Sequence, residues 1–130
     1  MPVVANQYNI VVEQGGTFTL EITYKDSAGV VIDLTDYVAR LEIRTAYTSA
    51  STLVALTSAA GGTGDTSGID LGDDAGTISI VIGSATTAAL TAPATNVYDL
   101  ELVAQNGKVT RLLEGKATVS PGVTQSTYTG

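Results

Sequence analysis

Four aspartates, Asp65, Asp70, Asp73 and Asp74, lie close together in the glycine-rich segment "GGTGDTSGIDLGDDAG". Carboxylate oxygens on a flexible loop are ligands that Ca²⁺ prefers, although this spacing fits no EF-hand loop. The segment therefore leaves two interpretations open, a calcium site or a solvated acidic loop. The neighbours Asp73 and Asp74 are disfavoured as an acid/base pair, because adjacent residues tend to point apart.

The same segment contains "GGTGDTSG", whose glycines invite comparison with a phosphate-binding loop. It lacks the Lys-Ser/Thr pair and the strand-to-helix transition of such loops, so a plain flexible loop is expected. The chain has no His and no Cys. The usual general base, the activator of a serine nucleophile and the commonest ligands for transition metals are therefore missing. We expect a protein that is not an enzyme and that uses no cofactor.

The charge balance is acidic, with six basic residues against thirteen acidic ones and a formal net charge of −7. Such a surface repels phosphate backbones and anionic lipids, so nucleic acid and membrane surfaces are poor partners. The N-terminal "MPVVANQYN" has no basic region typical of a signal peptide. The sequence also has no apolar run that approaches the ~20 residues needed to cross a bilayer.

Tyrosine and arginine supply the candidate contact residues. Apolar neighbours two residues away place Tyr24 and Tyr98 in the core. Exposed tyrosine is enriched at interfaces, so three other tyrosines are interface candidates. They are Tyr8, Tyr47 and Tyr128.

Arg40, Arg44 and Arg111 form a basic minority on an acidic chain. On the outward face of a strand, Arg40 and Arg44 either pair with Asp99 or Glu101 of a neighbouring strand or contact another acidic protein.

Alternation of apolar and polar residues predicts strands through most of the chain. The predicted strands cover Phe18 to Tyr24, "VVIDL", Ala39 to Arg44, "TLVAL", Ile69 to Leu71, "TISIVIG", "VYDLELVAQ" and "KVTRLLEGKATVS". Asn106-Gly107 between the last two predicts a hairpin with a two-residue type I′ turn. One short helical turn is expected near residues 84–90, with Ser84 as its N-cap and Pro93 beyond its end.

These elements predict an all-β fold, an immunoglobulin-like antiparallel β-sandwich of about seven to nine strands. We expect one domain over residues 1–130, with extended terminal arms at 1–7 and 125–130. The arms and any open sheet edges suit strand addition to a partner.

Three runs, "GGTFTLEITYKDSAGVVIDLTDYVARLEIR", "GTISIVIGSATTAAL" and "VYDLELVAQNGKVTRLLEGKATVSPGVT", follow one another in the chain. Together they resemble small virion-associated β-sandwich proteins of tailed bacteriophages. The first run is similar to the N-terminal domain of upper baseplate proteins. The shared motifs mark turns and strand faces, and no functional residue carries over.

The resemblance implies a structural virion protein, with a tail or baseplate module that docks neighbouring components as the leading hypothesis. Its partners would be other virion proteins, and particle symmetry would make it a homo-oligomer. A capsid decoration (cement) protein is the first alternative. The second is a glycan-binding module that uses Tyr47 and the acidic loop with Ca²⁺.

Overall fold

The computed structural model describes residues 6–59, 61–62 and 64–122. Its strands are β1 (Asn6–Gln7), β2 (Ile10–Glu13), β3 (Phe18–Thr23), β4 (Val38–Arg44), β5 (Val54–Thr57), β6 (Gly68–Leu71), β7 (Thr77–Ile82), β8 (Ala94–Val103) and β9 (Val109–Ser120). A single 3₁₀ turn, Asp73–Ala75, and one short helix, α1 (Ser84–Ala88), complete the secondary structure of these ranges. None of the helices found there is long and apolar enough to span a membrane.

The strands form two sheets. The larger sheet has the order β1-β9-β8-β4-β5, with β2 also paired to β9, and the smaller has the order β3-β7-β6. The two-sheet, all-β prediction is confirmed, while the immunoglobulin-like outline stays a prediction. Pairing is not antiparallel throughout, because β1 and β2 run parallel to β9. Residues 6–7 of the predicted N-terminal arm therefore belong to the larger sheet, whereas residues 1–5 and 125–130 lie outside the described ranges.

The core lies between the sheets and is built from the inward side chains of both. Leu41, Leu100 and Leu102 of the larger sheet and Ile78 and Ile80 of the smaller are at most 1% exposed. They belong to one buried cluster. The predicted alternation along β4 and β8 is thus confirmed, and it leaves the outer face of the larger sheet for solvent or partners. Along β7 the alternation holds as far as Ile80, after which Val81 on the opposite face is also buried.

The segment "VVIDL" does not form the predicted strand. Only Val31 makes a β-bridge, to Lys25, and Val30 is 60% exposed. The Asp33 carboxylate accepts hydrogen bonds from the N–H and the hydroxyl of Thr35. Such side-chain bonds compete with sheet pairing, so the chain turns here.

The β8–β9 hairpin is confirmed, but its turn is not the predicted type I′. The Ala104 N–H donates to the Lys108 carbonyl and the Gly107 N–H to the Ala104 carbonyl. Gly107 has φ +90°, whereas Asn106 is not among the described residues with positive φ. This is a three-residue loop, a type I turn followed by a left-handed glycine. The Asn106 side chain accepts from the Lys108 N–H instead, which holds the wider loop.

The short helix is confirmed at residues 84–88, with one correction to its start. Gly83 is the N-cap and Ser84 is the first helical residue. The carboxylate of Asp65 accepts from both the N–H and the hydroxyl of Ser84. An acidic side chain from a distant loop therefore does the capping predicted for Ser84.

Candidate docking face

The four aspartates of the acidic segment do not come together as a metal site. Asp65 binds Ser84 and Thr17, Asp70 lies on β6, and Asp73 and Asp74 belong to the 3₁₀ turn. Across the described ranges, no three or more His, Cys, Asp or Glu side chains are placed to hold a metal ion. The calcium cluster considered from sequence does not form there.

Asp65 instead ties three parts of the chain together. The Thr17 hydroxyl donates to its carboxylate from the β2–β3 turn, and Ser84 donates from α1. The Ser84 hydroxyl, followed by that of Thr17, holds the pKa of Asp65 below its ordinary value of 3.8. These hydrogen bonds give the Asp65 carboxylate a structural role, because they hold its glycine-rich loop to the β2–β3 turn and to α1.

The predicted arginines and one tyrosine meet on the outer surface of the larger sheet. We call this surface the charged face and define it by its outward residues: Arg40, Glu42, Arg44, Tyr47, Val97, Asp99, Glu101, Arg111, Glu114 and Lys116. Most of them line a depression of about 450 Å³. Tyr47, in the β4–β5 connection, is 75% exposed at its rim.

Strand register orders the charged face into rows that cross β4, β8 and β9. The arginine row contains Arg40, Glu101 and Arg111, the carboxylate row contains Glu42, Asp99 and Glu114, and the Arg44 row contains Arg44, Val97 and Lys116. A further row at the hairpin end contains Val38, Val103 and Val109. Val38 and Val109 are 48% and 47% exposed. Positive and negative rows thus alternate along the strands.

Ion pairs within and between the strands link these rows. Arg40 Nε lies 2.8 Å from Glu101 Oε1, as expected for a cross-strand pair. Arg44 pairs along its own strand, 2.7 Å from Glu42, and not with β8 as the sequence suggested. Arg111 lies 3.3 Å from both Asp99 and Glu114. Lys116 makes no ion pair with any part of the chain that is described.

The carboxylate row sets three like charges side by side, and each of them also has an arginine partner. Like charges directly opposite each other destabilise a sheet. Burial raises the pKa of the Asp99 carboxyl above its ordinary value, the neighbouring Glu101 raises it further, and Arg111 opposes both. Exposed ion pairs contribute only about 0–1 kcal/mol each. The charges on this face therefore contribute little to the stability of the single chain.

The charged face is neutral on a strongly acidic protein. It carries four of the six basic residues and four of the thirteen acidic ones. The other nine acidic and two basic residues lie elsewhere and account for the whole net charge of −7. This face is where another acidic protein can approach with the least repulsion.

Sequence reasoning missed Glu114 and Lys116 because strand β9 contains a bulge. Pairing with β8 shifts between Leu100 and Glu101, so both Leu112 and Leu113 turn toward the core. Simple alternation from Arg111 would have turned Glu114 inward. Two adjacent leucines in an alternating run were the available signal.

Tyr8, the other predicted contact residue within the described ranges, lies between β1 and β2. It is 47% exposed, its N–H donates to the Glu114 carbonyl, and its own carbonyl accepts from the Tyr98 hydroxyl. Tyr98 is buried as predicted. Tyr8 thus borders the charged face, and Tyr128 lies outside the described residues. No family model and no curated protein matches this chain.

Proposed function

We propose that this chain is a structural module of a tailed-bacteriophage virion that acts in the tail or baseplate and docks neighbouring components through its sheet surfaces. The observation that carries the proposal is the charged face. A broad surface of alternating charge beside exposed Val38, Val109 and Tyr47 suits protein contact. Its depression is lined mainly by charged side chains, in contrast to the mostly apolar lining of a small-molecule pocket.

The choice of particle rests on the resemblance of three sequence runs to phage modules, and two motifs of these runs have structural roles in this fold. The "DLT" run forms the turn at Asp33 and places Leu34, which is fully buried, in the core. The "YDLEL" run is part of β8, at the centre of the larger sheet. Both motifs thus build the platform that presents the charged face.

Open sheet edges offer a second means of attachment. Within the described ranges, β5 pairs only with β4, while β3 and β6 pair only with β7. An unpaired edge can accept a strand from another chain. A module of this kind joins neighbours by contact and needs no chemistry of its own.

The test is to locate the chain in purified particles. Mass spectrometry would measure its copy number, and electron cryomicroscopy would place its density. Density in the tail or baseplate is the expected result. Density spread over the head shell would favour the decoration alternative, and absence from particles would refute a virion role.

A complementation experiment tests the role of the charged face in attachment. Particles lacking the chain would be supplied with wild type, with Arg40→Glu, or with Glu21→Lys. Glu21 lies on β3, in the other sheet, and serves as a charge-reversal control away from the charged face. We expect Arg40→Glu to be incorporated poorly and Glu21→Lys normally. Equal incorporation of both variants would contradict docking through the charged face.

A further inference from the structure

We propose that the charged face binds the charged face of a second copy of this chain, in a two-fold symmetric pair. The inference rests on the docking role proposed for the charged face and names a second copy of this chain as its partner, while its test uses the purified chain alone and leaves the virion assignment untouched. It rests on the order of the rows, on their neutrality as a set and on Lys116, which has no ion pair within the described ranges. Each of these follows from strand register and ion-pair distances.

Row order fixes the geometry of the pair. Rows are two residues apart along β4 and β8, or about 6.8 Å, while on β9 the bulge adds one residue between Arg111 and Glu114. A two-fold axis parallel to the rows, midway between the carboxylate row and the Arg44 row, brings these rows face to face. Glu42 then meets Arg44 of the second copy, and Glu114 meets its Lys116. Because the axis is two-fold, each contact occurs twice.

Other axes give poorer complementarity. An axis along the strands would place β4 against β9, which sets Arg40 opposite Arg111 of the second copy. An axis between the arginine row and the carboxylate row would set Glu101 opposite Asp99. The arrangement we propose has no like-charge pair between its two central rows, since Asp99 meets uncharged Val97.

The pair would also satisfy groups that the single chain leaves under-compensated. Arg111 is divided between Asp99 and Glu114, at 3.3 Å from each. Lys116 has no ion-pair partner among the described residues. In the pair, Lys116 of one copy is the additional cation for Glu114 of the other.

The area available predicts a weak dimer. Strands β5, β4, β8 and β9, about 4.8 Å apart, and four rows about 6.8 Å apart give roughly 500 Å² per copy. The total of roughly 1,000 Å² is at the lower limit for a specific interface. Since charged contacts dominate, we expect association to weaken as salt rises.

Sedimentation velocity over a concentration series tests the proposal, with the chain measured up to about 1 mM. At ~20 mM NaCl we expect reversible dimerisation, and at about 500 mM NaCl a clear loss of dimer. Lys116→Glu removes no ion pair from the part of the chain that the structure describes, yet it should raise the dimer Kd at least about tenfold. Lys25→Glu, with the same change of net charge away from the face, should change the Kd less than about threefold.

A mixing experiment separates this interface from a merely structural effect. Lys116→Glu makes both positions 114 and 116 negative, and Glu114→Lys makes both positive. Each variant alone would place like charges against each other and stay monomeric. A mixture of the two should form a heterodimer, because every central contact at these positions is then between opposite charges.

Three results would overturn the proposal. Monomeric wild type at about 1 mM and low salt would refute it. So would a mixture of the two variants that stays monomeric while both are folded by circular dichroism. A dimer that Lys25→Glu weakens as much as Lys116→Glu does would place the contact elsewhere.

Discussion

Replacement of Gly115 by alanine is a sharp test of how β9 is packed. Gly115 lies in β9 opposite Tyr98, beneath the segment that joins β1 to β2. A Cβ at this position would lie 2.5 Å from the Tyr8 carbonyl oxygen and 2.9 Å from Asn9 Oδ1. Both distances are shorter than real Cβ contacts, so the segment at Tyr8 must move away from β9.

The expected cost follows from the bonds that this movement weakens. The Tyr8 N–H donates to the Glu114 carbonyl, the Tyr98 hydroxyl donates to the Tyr8 carbonyl, and Gln7 donates to the Glu114 carboxylate. At a net value of about 1 kcal/mol each, their complete loss would cost about 3 kcal/mol. Partial relaxation gives an expected loss of about 2 kcal/mol, within the range for overpacked sites. For a chain of this size, Tm would fall by roughly 6–10 °C.

Urea and thermal unfolding of Gly115→Ala measure this loss, and hydrogen exchange at the Tyr8 amide reports whether the segment has moved. Gly16→Ala is the matched control, because its Cβ would have only ordinary contacts, the nearest at 3.5 Å. We expect that control to change the free energy of unfolding by less than about 1 kcal/mol. A Gly115→Ala variant as stable as wild type, with an equally protected Tyr8 amide, would refute the packing described for β9.

Three further predictions concern side chains whose surroundings are equally well defined. Tyr98→Phe should lower the free energy of unfolding by about 1 kcal/mol, because it removes the hydrogen bond to the Tyr8 carbonyl. Burial raises the pKa of Tyr98 from 10.0 to about 12, so the wild type should lose stability as pH rises from 10 to about 12. The Tyr98→Phe variant has no hydroxyl to ionise and should lose less stability over the same range. Equal losses of the two proteins in alkaline denaturation would contradict this prediction. The pKa of Asp65 is lowered from 3.8, so its contribution to stability is present above that pH and lost as pH falls through the lower folded value. Thermal unfolding of Asp65→Asn should therefore depend less on acid pH than that of wild type, and parallel curves would show that the Ser84 and Thr17 bonds do not matter. Val12→Ala should lower the free energy of unfolding by about 2 kcal/mol, since Val12 is fully buried. Val11→Ala on the same strand should lower it by less than about 0.5 kcal/mol, since Val11 is 60% exposed. Equal urea midpoints for the two variants would contradict the burial of Val12 and the exposure of Val11 in β2.

Local pattern predicts this fold well where a strand is regular and has one wet face. Leu41, Ile43 and their outward neighbours follow strict alternation, as do Leu100 and Leu102 of β8. Burial on one face alone is enough to specify such a register, because a one-residue slip would expose every core side chain.

The errors have a common physical origin in side-chain hydrogen bonds and irregular pairing. Asp33 bonds to Thr35 and ends a run that alternation identifies as a strand. Asn106 bonds to Lys108 and widens the hairpin turn. Asp65 reaches α1 from 19 residues away and displaces Ser84 as the capping residue. Each outcome depends on a competition between local bonds that composition does not reveal.

By itself the sequence determined an all-β chain with acidic charge, the inward faces of its main strands, and the outward position of Arg40 and Arg44. Only the tertiary structure decided what those arginines face. The bulge in β9 turns Glu114 and Lys116 to the outside, and sheet register then sets Asp99 between two carboxylates. The physical reason is that pairing partners and their register depend on contacts between distant strands, whereas alternation reports only which side of its own strand a residue occupies.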